Sequence, residues 1–583
     1  MLPPIYDWSE QETGLFVWQD YLVFIGMLVA SMAIGIYYAV QGRHKANDEF
    51  LLGGRSLSFF PVSMSLFASY ISGIHVLGGP SEAYYHGVQW WVICAGQVAL
   101  IPAAFIFMPF FYELKLTSAY EYLELRYASR WVRSVAGGMF VLQMLLYQSV
   151  SIYAPALALA SVTNFSLWVS VFTVGIIASA YTSFGGLKAV VWTDVLQLYF
   201  IIFGLMAIII KGTIDLGGIG KVWELGVTNN RTGAQILTYG FEPLERHTVA
   251  NLVVGALVGQ LSQYSCTQTA IQRYVSIKSL SQAYMAIFLV IPFFILTISL
   301  TMLVGLVIFA TYEGCDPLAA GLITKNDQIL PFFVMDRLTT TPGLPGLFVA
   351  CIFSATLSTI SSGVNSQAAV TWEDVFAKIP RFAKLNQATQ ALLTKLLALG
   401  YGIISVGFAL LAGNLGGVLQ AGIAVNTAVA GPLLAVFLMA LFLPFTNSKG
   451  ACTALLVGTG VALGFSFGGT AIGIEPEMLP TSTDDCPVDI SLPLPSNTSV
   501  VRVSELQYPE RVLGLSYTQL GPLGLLVGLV SGVLVSLATG MSEGRRVDRK
   551  LVHPWVRWTL PHPEDVAART EAQAYENKVT TQC

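Results

Sequence analysis

The sequence predicts an all-α polytopic membrane protein of about 13 transmembrane helices. Three observations point there. Of the 583 residues, 54% are hydrophobic and only 11% charged, with a mean hydropathy of +0.65, whereas a water-soluble domain carries about 25% charged residues. Apolar windows of roughly 17 to 25 residues recur along the chain, each enough to cross ~30 Å of hydrocarbon. The basic residues gather in alternate connections between those windows, as the positive-inside rule requires.

Taken in order, the first window is Tyr21–Val40. It follows a polar, acidic stretch, Met1 to Gly14, with neither a basic leader nor a cleavage site, so it is expected to stay as an anchor. Phe59–Gly79 is apolar at its start yet carries Ser69, Ser72, Gly73 and His75. Lipid-facing helices gain nothing from such residues, whereas a helix that breaks near the midplane uses them to free carbonyls and hydroxyls for an ion or solute. Val88–Phe111, Val135–Leu157, Leu167–Ala180 and Val190–Ile210 complete a first set. Leu252–Ala270 opens a second, and with Gln260, Ser262, Gln263, Ser265, Thr267 and Gln268 it is the most polar apolar-flanked window of its half. Ala283–Ala310, Leu347–Val370, Leu396–Leu411 and Val418–Phe442 follow, then Ala451–Phe467 and Gly521–Leu537. Leaving the first helix aside, two sets of five start in opposite orientations, the arithmetic of an inverted repeat in which the first helix of each set is broken. The expected plan is a transporter domain over 1–545, with core repeats at about 55–211 and 249–444, one extra N-terminal and two extra C-terminal helices, and a cytoplasmic tail over 546–583.

Connections holding Arg43 and Lys45, Lys115 with Arg126, Arg130 and Arg133, Lys188, Arg273 and Lys278, Lys378 with Arg381 and Lys384, and Lys449, with the tail cluster from Arg545, fall on one side. That side is read as cytoplasmic. The sequons at Asn164, Asn230 and Asn497 fall on the other, so the N-terminus is expected outside and the C-terminus inside, in a plasma membrane. Glycosylation is expected at Asn230 and Asn497, in the longest external loops, and not at Asn164, which lies almost at the bilayer. Cys315 and Cys486 share the external side, where pairing is permitted but not dictated. No cysteine pair has metal-site spacing, and the net charge of -4 gives no nucleic-acid footprint. Cys583 ends the chain and so cannot be a prenylation box.

Two further constellations carry chemistry. In the window Leu347–Val370, Ser358, Ser361, Ser362 and Asn365 fall at i, i+3, i+4 and i+7, one helical face of neutral oxygens. Such a face suits a hard monovalent cation such as Na+, or equally close helix packing through small residues. Asp194, about one turn into an apolar helix after Gly185-Gly186-Leu187, is either functional or the structural partner of an arginine. His75 is either packed or a solute ligand, and its place just past the Ser-Gly break favours the ligand. GxSxG occurs once, at Gly464 to Gly468 in an apolar window rather than at a strand-to-helix turn, and there is no HExxH or Cys/His cluster, so the protein is not expected to be an intramembrane enzyme.

These segments resemble the solute:sodium symporter family over roughly Tyr21 to Phe442. The carrying motifs are Gly185-Gly186-Leu187 with Trp192-Thr193-Asp194-Val195-Leu196-Gln197, Gln272-Arg273-Tyr274, and Ser354-Ala355-Thr356-Leu357-Ser358-Thr359. Val76 to Tyr84, Ile152 to Leu157, Val370 to Asp374 and Gly416 to Gln420 resemble the branch of monocarboxylate, multivitamin and iodide carriers. The resemblance implies a leucine-transporter-like fold and sodium-coupled symport of a small organic anion, such as a monocarboxylate, biotin or pantothenate. A neutral polyol or sugar, an iodide-like anion, and a sodium- or solute-gated sensor without net flux stay open as alternatives. The implied sodium site comprises the Ala68 and Ile71 carbonyls with Ala355, Ser358 and Thr359; Asp194, Ser361 and Ser362 form a possible second sodium region. Tyr70, His75, Gln97, Tyr147, Gln260, Leu419 and Ile423 match solute-lining positions. Sodium ion, solute and the lipid bilayer are the expected partners. The chain departs from the anion branch at Tyr85-His86-Gly87, where Arg-Phe-Gly is usual, at Gln260, where Trp is usual, and at His75, which is shared with the sugar branch.

Overall fold

The computed structural model describes residues 16–41, 51–114, 116–163, 166–412, 417–474, 477–486, 503, 506–541 and 547–560, with backbone alone for 39, 179–185 and 411–412. Among these residues the fold is helical, with only isolated bridges such as Leu57 to Ile277. Ten helices are long and apolar enough to cross a membrane, eleven counting one bent pair. The chain begins with α1 (Trp18–Gln41) and the bent pair α2 (Phe59–Ala68) and α3 (Gly73–His86). Next come the span α4 (Val88–Leu114), a short α5 (Glu121–Tyr127), α6 (Arg130–Val162), α7 (Leu167–Ala178) and α8 (Gly186–Asp215). After α9 (Ile219–Thr228) come α10 (Val249–Ser265), α11 (Gln268–Val275), α12 (Leu280–Thr311), α13 (Leu344–Asp374) and α14 (Gln387–Ala412). The last three are α15 (Val418–Phe442), α16 (Ser448–Ile472) and α17 (Leu520–Ala538).

Every predicted apolar window is helical over most of its length. Two of them, Leu167–Ala180 and Leu252–Ala270, form helices shorter than a full crossing, and the second divides into α10 and α11. The apolar segments on either side of Lys188 run as one helical stretch interrupted at Gly186, whose φ of 63° and ψ of −174° only glycine adopts cheaply. The span α4 changes pitch, from 3₁₀ over Val88–Ala99 to a π turn over Ala103–Phe107, the kind of irregularity that concentrates at functional positions.

α13 is the axis of the bundle. Its most apolar window is 94% buried, so the Ser/Thr face never meets lipid and can be spent on contacts to α2, α3, α6 and α8. α12 lies along both α2 and α3, and α10 lies along α4. α15, α16 and α17 form a tight layer in which Gly524 sits against Pro432 and Gly458 against the Gly524 carbonyl, close approach through small residues as in other membrane bundles.

On one face, Cys315 and Cys486 are joined in a disulfide, which settles the open pairing. The same face carries the ends of α3, α12 and α16 and the starts of α4, α10, α13, α15 and α17. Asn230 is there too, exposed, whereas Asn164 and Asn497 lie outside the described residues. Arg126, Arg130, Arg133, Lys378 and Arg381 lie on the opposite face, where the segment 547–560 folds back under the bundle, Tyr122 donating to the Leu551 carbonyl and the His553 N–H to the Leu441 carbonyl, each at 3.0 Å.

Candidate functional site

The bent pair turns through 57° between Ala68 and Gly73. Ser72 is extended (φ −91°, ψ 171°), and Gly73 packs so closely on Thr356 of α13 that a Cβ would collide with its hydroxyl. The break therefore opens against the hydroxyl face of α13. Ser358 Oγ donates to the Ala68 carbonyl at 2.8 Å and to Ala355 at 3.0 Å. Thr359 Oγ1 donates to the Ser69 carbonyl at 3.3 Å and to Ala355 at 3.1 Å. The α3 N–H groups of His75 and Val76 pair with the Ser72 carbonyl, which leaves the Ile71 carbonyl outside helical pairing in the same break. Four of the five residues expected at the sodium site, Ala68, Ala355, Ser358 and Thr359, are thus within hydrogen-bond reach of one another, and Ile71 is buried beside them. The donor set is neutral oxygen throughout, the type that suits Na+.

One turn further along α13 the chemistry changes to fixed charge. Asp194 Oδ2 accepts from Ser65 Oγ at 2.6 Å and faces Arg273 Nη2 at 3.4 Å, both side chains fully buried. Arg273 also donates to Ser65 Oγ at 2.9 Å, to the Thr269 carbonyl at 2.9 Å and to Ser362 Oγ. Ser362 Oγ in turn meets Ser69 Oγ at 2.8 Å. Asp194 Oδ1 is buried without a partner among the described residues. Ser362 thus joins Asp194 through Arg273, but Ser361 Oγ bonds to the Ser358 carbonyl at 3.1 Å and not to Asp194. Sequence reasoning placed Arg273 in a surface connection and missed it here. The correction has a plain cause: α11 continues past the expected end at Ala270 and runs buried to Val275, and Asp194 neutralises the charge it brings in. The functional and structural readings of Asp194 therefore meet in one cluster, an arginine pair beside a carboxylate oxygen with no partner among the described residues.

The solute-lining candidates divide into two groups. Around the first break, Tyr147 Oη donates to Ser72 Oγ at 3.0 Å, and Ser72 Oγ lies 3.3 Å from His75 Nδ1. His75 is partly exposed amid buried neighbours and its ring lies 6.2 Å from that of Trp90. Tyr70 Oη reaches the second break, bonding the Gln263 carbonyl at 3.0 Å and Thr267 Oγ1 at 2.9 Å. That break falls at Cys266 and Thr267, where Thr267 is extended and its Oγ1 caps α11 at the Ala270 N–H. Gly96 of α4 packs directly on Ala256 of α10, so Gln97 and, one turn beyond Ala256, Gln260 stand on facing helices. Both amide atoms of Gln97 and the Gln260 Oε1 are buried with no partner among the described residues. Unmade hydrogen bonds cost about 1–3 kcal/mol each, so this concentration is polar capacity held in reserve. Leu419 lies on Gly78, and Ile423 packs toward Ala424, Tyr517 and Leu520.

The face bearing the disulfide holds a cavity of about 960 Å³ lined by His86, Arg246, His247, Gln420 and Tyr517 among others. Arg246 and His247, which the sequence reading did not single out, are among its lining residues.

This arrangement matches what comparison finds. The pattern of the Sodium:solute symporter family matches residues 50–458. The "Sodium-dependent multivitamin transporter" of Oryctolagus cuniculus is 38% identical over 557 residues, 94% of this chain and 86% of the relative. The "Sodium-coupled monocarboxylate transporter 1" of Mus musculus is 38% identical over 550 residues, 91% of this chain and 89% of the relative. A Na+-coupled sialic acid symporter, solved in a substrate-bound outward-open state, superposes with a TM-score of 0.73 at 21% identity, covering 91% of this chain and 100% of that one; this likeness shows the fold. The broken helix facing a hydroxyl-lined central helix, the match across most of the chain and the identity of these relatives have one reading: the chain belongs to the sodium:solute symporter family, the sodium-coupled carriers of small solutes.

Proposed function

We propose that the protein carries a small organic anion, a monocarboxylate or a vitamin such as biotin or pantothenate, together with Na+ across the plasma membrane, with the N-terminus extracellular and the C-terminus cytoplasmic. The observation that carries this reading is the contact of the Ala68 carbonyl with Ser358 Oγ at 2.8 Å, where a chain break meets a row of neutral oxygens. In this reading Na+ binds among the carbonyls of Ala68, Ile71 and Ala355 and the hydroxyls of Ser358 and Thr359, replacing their mutual hydrogen bonds. The solute lies along Tyr70, His75, Gln97, Tyr147, Gln260, Leu419 and Ile423, and Asp194, Ser361 and Ser362 form a second cation region that Arg273 now neutralises. Among the described residues ten or eleven helices are long and apolar enough to cross a membrane, and the two chain breaks fall in the windows read as the first helix of each set, which supports alternating access in the expected thirteen-helix, inverted-repeat plan. Inward movement of one net positive charge gains about 2.3 kcal/mol per 100 mV.

The organic-anion class rests on the multivitamin and monocarboxylate relatives. A polyol is the second reading, favoured by the unpartnered Gln97 amide and Gln260 Oε1, which suit hydroxyl groups. Counterflow of a labelled solute panel in proteoliposomes, with and without Na+, tests both. Sodium-dependent exchange of lactate, nicotinate or pantothenate supports the anion; exchange of inositol alone supports the polyol; no exchange of any solute, with ligand-dependent conformational change, supports a sensor. The His75→Gln variant separates the first two, because loss of a residue pairing with a carboxylate alters the pH profile of uptake, whereas loss of a neutral donor alters substrate ranking.

A further inference from the structure

We propose that Arg246 is an outer recognition point for the carboxylate of the solute, where that carboxylate exchanges with Glu82 and so frees the way from the external cavity to His75. The inference rests on the organic-anion reading above. Arg246 lines the cavity while Glu82, from α3, grips it from behind: Nε to Oε1 at 3.2 Å and Nη2 to Oε2 at 2.8 Å. Nη1 donates to Gln420 Oε1, in the first turn of α15, at 2.5 Å. His247 Nδ1 lies 3.6 Å from the same carboxylate, and His247 Nε2 is 2.8 Å from Tyr517 Oη.

The arginine is held independently of these two helices. Ser516 Oγ donates to the Arg246 carbonyl at 2.7 Å, the Ser516 N–H pairs with Pro243, and Asn251 Nδ2 bonds the Glu242 and Glu245 carbonyls. The Tyr517 ring lies under the guanidinium, 5.0 Å from centroid to Cζ. A cation fixed on the α10 and α17 side therefore holds α3 and α15 together through Glu82 and Gln420. Glu82 is seven residues beyond His75, so both fall on one face of α3 about 10 Å apart, and Gln420 adjoins Leu419, which packs on α3 at Gly78. The bond thus links the Arg246 wall of the cavity to the α3 face that carries His75.

A fork-shaped guanidinium accepts any carboxylate in the same bidentate geometry. A solute carboxylate arriving through the cavity makes the bonds that Glu82 gives up, so Arg246 stays paired, and one proton taken up from the external side, by Glu82 or by His247 Nδ1 3.6 Å from it, keeps the released carboxylate from remaining an unpaired buried charge. A solute without a carboxylate cannot make that exchange, and selectivity follows from the polar groups it would strand.

The full chain in proteoliposomes provides the test, with lactate and pantothenate as carboxylates and panthenol as the uncharged comparison. Arg246→Gln raises the KM for both carboxylates about tenfold or more, leaves the Na+ concentration for half-maximal uptake within about twofold, and Arg246→Lys restores part of the loss. Glu82→Gln removes the internal competitor and lowers the carboxylate KM severalfold. His75→Cys, read for labelling alone, reacts with an external impermeant thiol reagent faster when combined with Glu82→Gln, and lactate but not panthenol speeds labelling when Glu82 and Arg246 are both intact. Unchanged KM values and labelling rates in Glu82→Gln and Arg246→Gln, with Na+-driven uptake intact, overturn the proposal. If Arg246→Gln does not fold, Glu82→Gln, which keeps the cation in place, decides by the same two readouts. Absence of Na+-driven carboxylate uptake in the parent defeats the anion reading instead, and the labelling rate in Glu82→Gln without solute then still reports whether this bond closes the path.

Discussion

Replacing Ser358 by Ala removes one oxygen from the set around the Ala68 and Ala355 carbonyls, and replacing Thr359 by Val removes the oxygen that reaches Ser69 and Ala355. In the fold each hydroxyl makes two hydrogen bonds, at 2.8 and 3.0 Å for Ser358 and at 3.3 and 3.1 Å for Thr359. In each case one partner is a carbonyl of its own helix that is already served by the helical N–H ladder, so the net loss of stability is near one ordinary hydrogen bond, about 1 kcal/mol. Toward a bound cation the loss is larger, since an interaction with a charged group is worth about 1.5–3 kcal/mol. At 1.4 kcal/mol per decade this predicts a roughly 10- to 150-fold rise in the Na+ concentration for half-maximal uptake. The measurement is tracer uptake against external Na+, with the amount of protein at the surface determined in the same cells. Apparent Na+ affinity should fall in both variants while surface protein falls less. Parent-like sodium dependence in both would refute the assignment of this cluster as the sodium site.

Asp194→Asn keeps the shape of the carboxylate but leaves Arg273 as an uncompensated buried cation, a change that costs about 3–5 kcal/mol in buried pairs; sodium-coupled flux should drop sharply, and Arg273→Gln added to it should recover surface protein if the pair is mainly structural. His247, in the segment ahead of α10, is held neutral by burial, with Arg246 acting in the same direction against Glu82, and titrates only at about 3. Because its folded value lies below the ordinary 6.5, its contribution to stability is complete above pH about 6.5 and declines as pH falls toward 3; His247→Gln should lessen the loss of thermal stability in detergent between pH 7 and 5. Glycan is expected on Asn230 and Asn497, so a gel shift that survives removal of both contradicts the proposed topology.

Much of this architecture was legible from hydropathy because a membrane span must be apolar over a fixed length; Val418–Phe442 has the same bounds in sequence and structure. The first break was legible too, since Ser69, Ser72 and Gly73 have no reason to lie in lipid. What was not legible depends on contacts between residues far apart in the chain. Arg273 meets Asp194 across 79 residues, and a charge count alone assigns that arginine to a surface loop. The grip of Arg246 on Glu82 spans 164 residues, and nothing local to either residue announces it. The pitch change in α4 was hidden because 3₁₀, α and π turns share the same apolar composition.

In the proposed reading, coupling between ion and solute follows from how few residues separate the proposed sites. From Ala68 to Ser72 the chain has no regular helix to stiffen it, and nearly every group it offers is tied to a different element. The Ala68 carbonyl holds Ser358 of α13, the Ser69 carbonyl and hydroxyl hold Thr359 and Ser362, the Tyr70 hydroxyl holds the second break at Thr267, and Ser72 bridges Tyr147 to His75. A cation drawn to the Ala68 carbonyl replaces the first of these ties and moves the same short segment that sets the positions of Tyr70, Ser72 and His75. The coupling free energy is reciprocal, so whatever factor Na+ adds to solute affinity, the solute adds to Na+ affinity. Tyr70 makes the linkage reach further than one site: its hydroxyl ends on the capping residue of α11, and α11 carries Arg273 to Asp194. One short break therefore joins the neutral oxygen cluster, the residues proposed to line the solute site and the charged pair into a single mechanical unit.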